Sequence, residues 1–107
     1  MNSQYVVDQS KWAKLDIFNQ MGNIYSEVGR SLNSRDKEDR DAAIIRAIDL
    51  FDATVLALSE AKSPKLREVL RAKEQFIDIA FNENPTESAK QSLDRYFMNF
   101  AVAARLR

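Results

Sequence analysis

Apolar residues recur at intervals of three and four along almost the whole chain, and only two prolines, Pro64 and Pro85, interrupt them. That spacing is the period of a helix laid against a core, not the alternation of a strand. With two glycines in 107 residues, the chain also lacks the turn chemistry that a β-sheet needs. An all-α fold is therefore expected. The length suits one domain with a single core.

On a wheel at about 100° per residue the pattern divides into four helices, over about 9–32, 36–61, 64–81 and 85–105. The first turns Leu15, Phe18, Met21, Ile24, Tyr25, Val28 and Leu32 to one side, with Asp8 or Ser10 as N-cap. Gly22 and Gly29 border that face. A glycine inside a helix costs about 1 kcal/mol against alanine, so a closely approaching neighbour is expected there. The second helix opens on the charged run from Arg35 to Asp41, whose acids suit the positive end of the helix dipole. Its stripe is Ile44, Ile45, Ile48, Phe51, Val55, Leu56 and Leu58. The third starts with Ser63 as cap and Pro64 at the first position, and carries Leu66, Val69, Leu70, Phe76, Ile77 and Ala80 inward as far as Phe81. The fourth starts with Asn84, Pro85 and Glu87, and points Leu93, Phe97, Phe100, Ala101 and Ala104 inward. Short connections make successive helices antiparallel neighbours, so an up-down-up-down four-helix bundle is the simplest closure.

Composition removes several function classes. Lysine plus arginine and aspartate plus glutamate both number 16, so the formal net charge is zero and a strongly basic nucleic-acid binder or polybasic membrane anchor is not indicated. Cysteine and histidine are absent, which excludes disulfides, thiolate or imidazole metal sites and histidine-based triads. The opening Met-Asn-Ser-Gln-Tyr-Val-Val-Asp lacks the features of a signal peptide, and no stretch is long enough for a membrane span. The expectation is a cytoplasmic protein without cofactor, metal or membrane partner.

A few residues break the apolar pattern. Lys73 sits at the centre of the third helix's apolar arc and Asp52 inside that of the second. Counted from the turn around Lys62 to Pro64 at 1.5 Å per residue, both lie about 14–15 Å along the hairpin. They are expected to meet as a buried polar pair. Such a pair serves either as a site of shifted proton affinity or, more commonly, as an ion pair that fixes register; a lysine can also snorkel outward. On the first helix, Asp16, Asn19, Asn23, Glu27 and Arg30 form a polar ladder, and Glu27 and Arg30 suit a local ion pair.

Surplus apolar residues point to partners. Trp12 falls on the polar arc of the first helix, and exposed tryptophan is enriched at interfaces. Met98, Val102 and Leu106 recur every four residues on the outside of the fourth helix, and Leu50 points away from its own stripe. These five form the expected oligomer or partner interface, with homo-oligomerisation favoured over a monomer. Arg67, Arg71 and Arg95 make a weak basic patch for nucleic-acid contact. The acids Asp49, Asp52, Glu74 and Asp78 suggest a divalent-metal nucleotide hydrolase, but the wheel points Glu74 and Asp78 away from Asp52.

In plan the chain resembles the small four-helix-bundle proteins of the ribosomal intervening-sequence type and the accessory proteins of diversity-generating retroelements. Its nearest segments are Asn23-Ile24-Tyr25-Ser26-Glu27-Val28-Gly29-Arg30 and Arg46-Ala47-Ile48-Asp49. The resemblance covers the architecture of the whole chain rather than a motif. It implies ring assembly and, for the accessory type, work with a reverse transcriptase and its RNA; it carries over no functional residue. The expected function is that of a non-enzymatic, oligomeric accessory or scaffold protein with a protein partner, reaching nucleic acid through a complex. The alternatives are a nucleic-acid-binding accessory subunit and, behind it, the metal-dependent hydrolase.

Overall fold

The computed structural model describes residues 7–82 and 85–105. Five helices make up this part: α1 (Gln9–Lys14), α2 (Ile17–Asn33), α3 (Lys37–Glu60), α4 (Leu66–Ala80) and α5 (Glu87–Arg105). No strand occurs among the described residues.

The helix expected over about 9–32 is two helices. Leu15 and Asp16 are extended, and the Asp16 carboxylate accepts the Asn19 backbone N–H at 2.8 Å as the N-cap of α2. Aspartate offers its own oxygen to nearby backbone N–H groups, so it starts helices more readily than it continues them. The end of α1 is closed from the other side. The Gln20 side-chain amide donates to the carbonyls of Trp12 and Leu15, both at 3.0 Å, and satisfies acceptors that a helix end leaves open. Periodicity alone does not register this break, because apolar residues keep arriving every three or four positions across it.

The other ends follow local chemistry as well. Asp8 caps α1 through the Lys11 N–H, and Asp36 caps α3 through the Glu38 N–H, with Glu38 and Asp39 in the first turn. At its C-terminus α3 winds into a left-handed residue, Lys62. Ser63 N–H then reaches Leu58 O at 2.9 Å and Lys62 N–H reaches Ser59 O at 3.1 Å, the Schellman pattern. Ser63 and Pro64 do not begin α4 directly. The Ser63 hydroxyl accepts the Lys65 N–H within a turn, and the helix proper starts at Leu66. Asn84, expected to cap the last helix, lies outside the described residues, and Thr86 accepts the Ala89 N–H at 3.0 Å.

α2 packs against α3 and α5, α4 closes against the same two helices, and α1 lies across α3. The centre is aromatic. Phe51 stands 6.0 Å from Phe76 and 6.1 Å from Phe97, and Tyr25 stacks on Phe97 at 5.2 Å. Ala43, Ala47 and Thr54 are fully buried along α3. Their small side chains let neighbouring helices come close. The glycines do not have that role, because a Cβ at Gly22 or Gly29 would meet nothing within 4 Å. Five members of the expected stripes are exposed: Leu15, Ile45, Leu56, Leu70 and Phe81. For α3 and α4 the reason is that the apolar arc on the wheel is wider than the arc that neighbours cover. The side chains of Ala101 and Ala104 lie outside the described ones.

Candidate functional site

The residues expected at an interface divide. Trp12 is buried, and its indole N–H donates to the Thr54 hydroxyl at 2.8 Å. The wheel placed it outside by carrying the phase of α2 through a helix that ends at Lys14. Leu50 is also core, 4% exposed. α3 is contacted by α1, α2 and α4, so its buried arc is broader than one seam. Met98 and Val102, by contrast, stand half exposed on α5, and Leu106 lies outside the described residues.

Lys73 Nζ lies 2.5 Å from Asp52 Oδ1, but this pair is not buried. The Asp52 side chain is 54% exposed and that of Lys73 25%. The two meet at the outer edge of the α3/α4 crease, where Lys73 reaches outward along its stem. Glu27 is the better sheltered carboxylate. It holds Arg30 at 3.0 Å within α2 and Arg46 at 3.2 Å on α3. Sequence spacing indicates the first contact; the second crosses between helices and has no sequence signal. Asn23 is exposed and donates to Asn19 O.

Arg67, Arg71 and Arg95 are all exposed. Arg95 lines a groove between α2 and α5, to which α4, the helix of Arg67 and Arg71, contributes nothing. The three do not share that surface. Among the described residues no three acidic side chains are grouped so as to hold a metal ion, so Asp49, Asp52, Glu74 and Asp78 do not converge. No described helix is long and apolar enough to cross a membrane.

The groove between α2 and α5 holds about 720 Å³ and is open to one side. Val28, Leu32, Leu93 and Phe97 give it an apolar lining, and Gly29 leaves it unfilled. Glu87, Lys90, Asp94 and Arg95 bring both signs of charge to it. Across it the Tyr25 hydroxyl donates to the Asp94 carboxylate. That hydrogen bond, and then burial and the charge of Asp94, push the phenol above its ordinary value. Gly29 bordering the apolar face of α2 is the one sequence hint of this groove; nothing in the sequence ties Tyr25 to Asp94. On the far side of α5, the Tyr96 hydroxyl is buried without a hydrogen-bond partner among the described residues. Burial, and then the charge of Glu68, raise its proton affinity strongly.

Comparison with known protein families, curated proteins and solved structures finds no match.

Proposed function

We propose that this chain is a non-enzymatic helical accessory protein of the cytoplasm that assembles with copies of itself and receives an apolar helix of a protein partner in the α2/α5 groove. One observation carries the reading. Met98 and Val102, one turn apart, stand half exposed on α5, and Met98 lines the groove whose α2 side includes the unfilled Gly29. A half-open trough that mixes apolar side chains with charges of both signs suits recognition of an amphipathic helix better than an enclosed small-molecule site does. We read α2 to α5 as an up-down-up-down bundle with α1 strapped to its side; the short connections and the Asp52–Lys73 and Tyr25–Asp94 cross-links support this. Direct nucleic-acid binding has less support, because the three arginines divide between surfaces.

The test is site-specific photo-crosslinking in the native host. A photoreactive residue at Met98 yields one discrete protein adduct, and one at Lys11 yields none. Gly29→Leu, which fills the groove, removes the adduct while helicity stays at the wild-type level. An adduct that survives Gly29→Leu would refute the groove as the docking site.

A further inference from the structure

The outer surface of the α3/α4 hairpin is apolar in part, and no described helix covers it. Ile45 is 56% exposed, Leu56 46% and Leu70 40%. At about 100° per residue, Ile45, Asp52 and Leu56 fall within a narrow arc of α3. On α4, Leu70 lies on the same flank as Lys73, the flank that reaches Asp52. Three large exposed aliphatics therefore surround one exposed ion pair. Scattered single apolar residues need no explanation; three aligned along one face with a charge pair between them suit a contact surface.

We infer that a second copy of this chain covers this face, in a two-fold pairing that sets Asp52 of each copy against Lys73 of the other. The argument is self-complementarity. A two-fold axis along the α3/α4 crease lays α3 of one copy over α4 of the other at equal height. Asp52 and Lys73 already share one height, since they touch. Each lysine then sits between its own aspartate and that of the second copy, and attraction replaces the water that now surrounds Asp52. The apolar residues match as well. Leu56 is four residues from Asp52 and Leu70 three from Lys73, both toward the hairpin turn, so they stand about 6 Å and 4.5 Å from the pair. Leu56 of one copy therefore meets Leu70 of the other. On the far side of the pair Ile45 reaches toward the half-buried Ile77. Asp49 and Glu74 remain at the rim, where water screens them. A partner of any other sequence would need the same ion pair and the same leucine spacing in mirror order; a second copy has them by symmetry.

This inference specifies the self-association part of the proposed function and uses neither α2 nor α5. Light scattering on the full-length chain at micromolar concentration should give twice the monomer mass. Leu70→Glu should give a monomer with unchanged helicity. Asp52→Lys and Lys73→Asp should each weaken the dimer about tenfold or more, and an equimolar mixture of these two variants should restore it, because each charge then faces its opposite across the two-fold axis. A monomeric wild type, a Leu70→Glu dimer, or a mixture of folded variants that fails to pair would overturn the proposal. Gly29→Leu separates the two readings: it removes the groove adduct and leaves the dimer. If it dissociates the dimer instead, self-association runs through the α2/α5 groove and the hairpin face is not the interface.

Discussion

The indole N–H of Trp12 donates to the hydroxyl of Thr54 at 2.8 Å, joining a six-residue helix to the C-terminal half of the 24-residue α3. A helix as short as α1 has no stability of its own. It is held by this bond, by the Gln9 amide on Ala53 O at 3.0 Å, and by Gln20 at its C-terminal end. Thr54→Val keeps the shape and strands a buried donor, which costs about 1–3 kcal/mol. In a Trp12→Phe background the same change should cost almost nothing, because no donor is left to strand. Chemical denaturation of the four proteins of this cycle gives the coupling. Equal costs in both backgrounds would show that the bond contributes nothing.

Gln20 is the residue that lets the chain break its first helix. Gln20→Met keeps the side-chain volume and takes the side-chain donor from Leu15 O, while Trp12 O keeps only the Leu15 N–H, at about 1–3 kcal/mol. The loss should be local. Amide exchange in α1 should accelerate well beyond exchange in α4, since α1 lies at the low-stability end of the fold. Uniform acceleration across the chain would mean instead that Gln20 supports the whole core.

Asp8, Asp36 and the three-and-four spacing make the helices readable in the sequence, because caps and periodicity act locally. Residue counting from the α3–α4 turn likewise places Asp52 and Lys73 at one height, and they lie 2.5 Å apart. What the sequence does not carry is which arc of each helix a neighbour covers. Leu50 is core and Ile45 is surface, although both are large aliphatics on α3. The difference lies in the three helices around α3, and a wheel drawn for one helix has no information about them. Trp12 misleads for a related reason. Its phase belongs to a separate helix, and the marker of the separation, an aspartate four residues before a glutamine, is too common to stand out.

Tyr96 carries a buried hydroxyl with no hydrogen-bond partner among the described residues. Tyr96→Phe removes a polar group that is dehydrated without return, so at neutral pH the variant should be as stable as the wild type or about 1 kcal/mol more stable. At alkaline pH the two should diverge. Tyr96 and Tyr25 both hold their protons more tightly in the folded state than in the unfolded chain. The stability this represents is intact below the ordinary phenol value of about 10 and falls as the pH rises past it, because the unfolded chain ionises first. Wild type should therefore lose stability above about pH 10, and Tyr96→Phe should lose less. Tyr25→Phe should show a smaller rescue, since Tyr25 is the more exposed of the two. Parallel pH profiles for wild type and Tyr96→Phe would show that the hydroxyl is solvated.

Lys62 occupies the left-handed position that ends α3, with φ of 53°. A side chain with a Cβ pays about 1 kcal/mol or more there, and glycine pays nothing. The flanking bonds from Ser63 N–H to Leu58 O and from Lys62 N–H to Ser59 O are backbone bonds, so they survive substitution. Lys62→Gly should stabilise the protein by about 0.5–1 kcal/mol, the strain relieved minus the added freedom of the unfolded chain. Lys62→Ala makes the sharper comparison. It removes the same charge as glycine but keeps the Cβ, so it should leave stability within about 0.5 kcal/mol of wild type. If alanine stabilises as much as glycine does, the gain comes from removing a positive charge and not from the backbone. Thermal melts of the three proteins at one pH decide between the two.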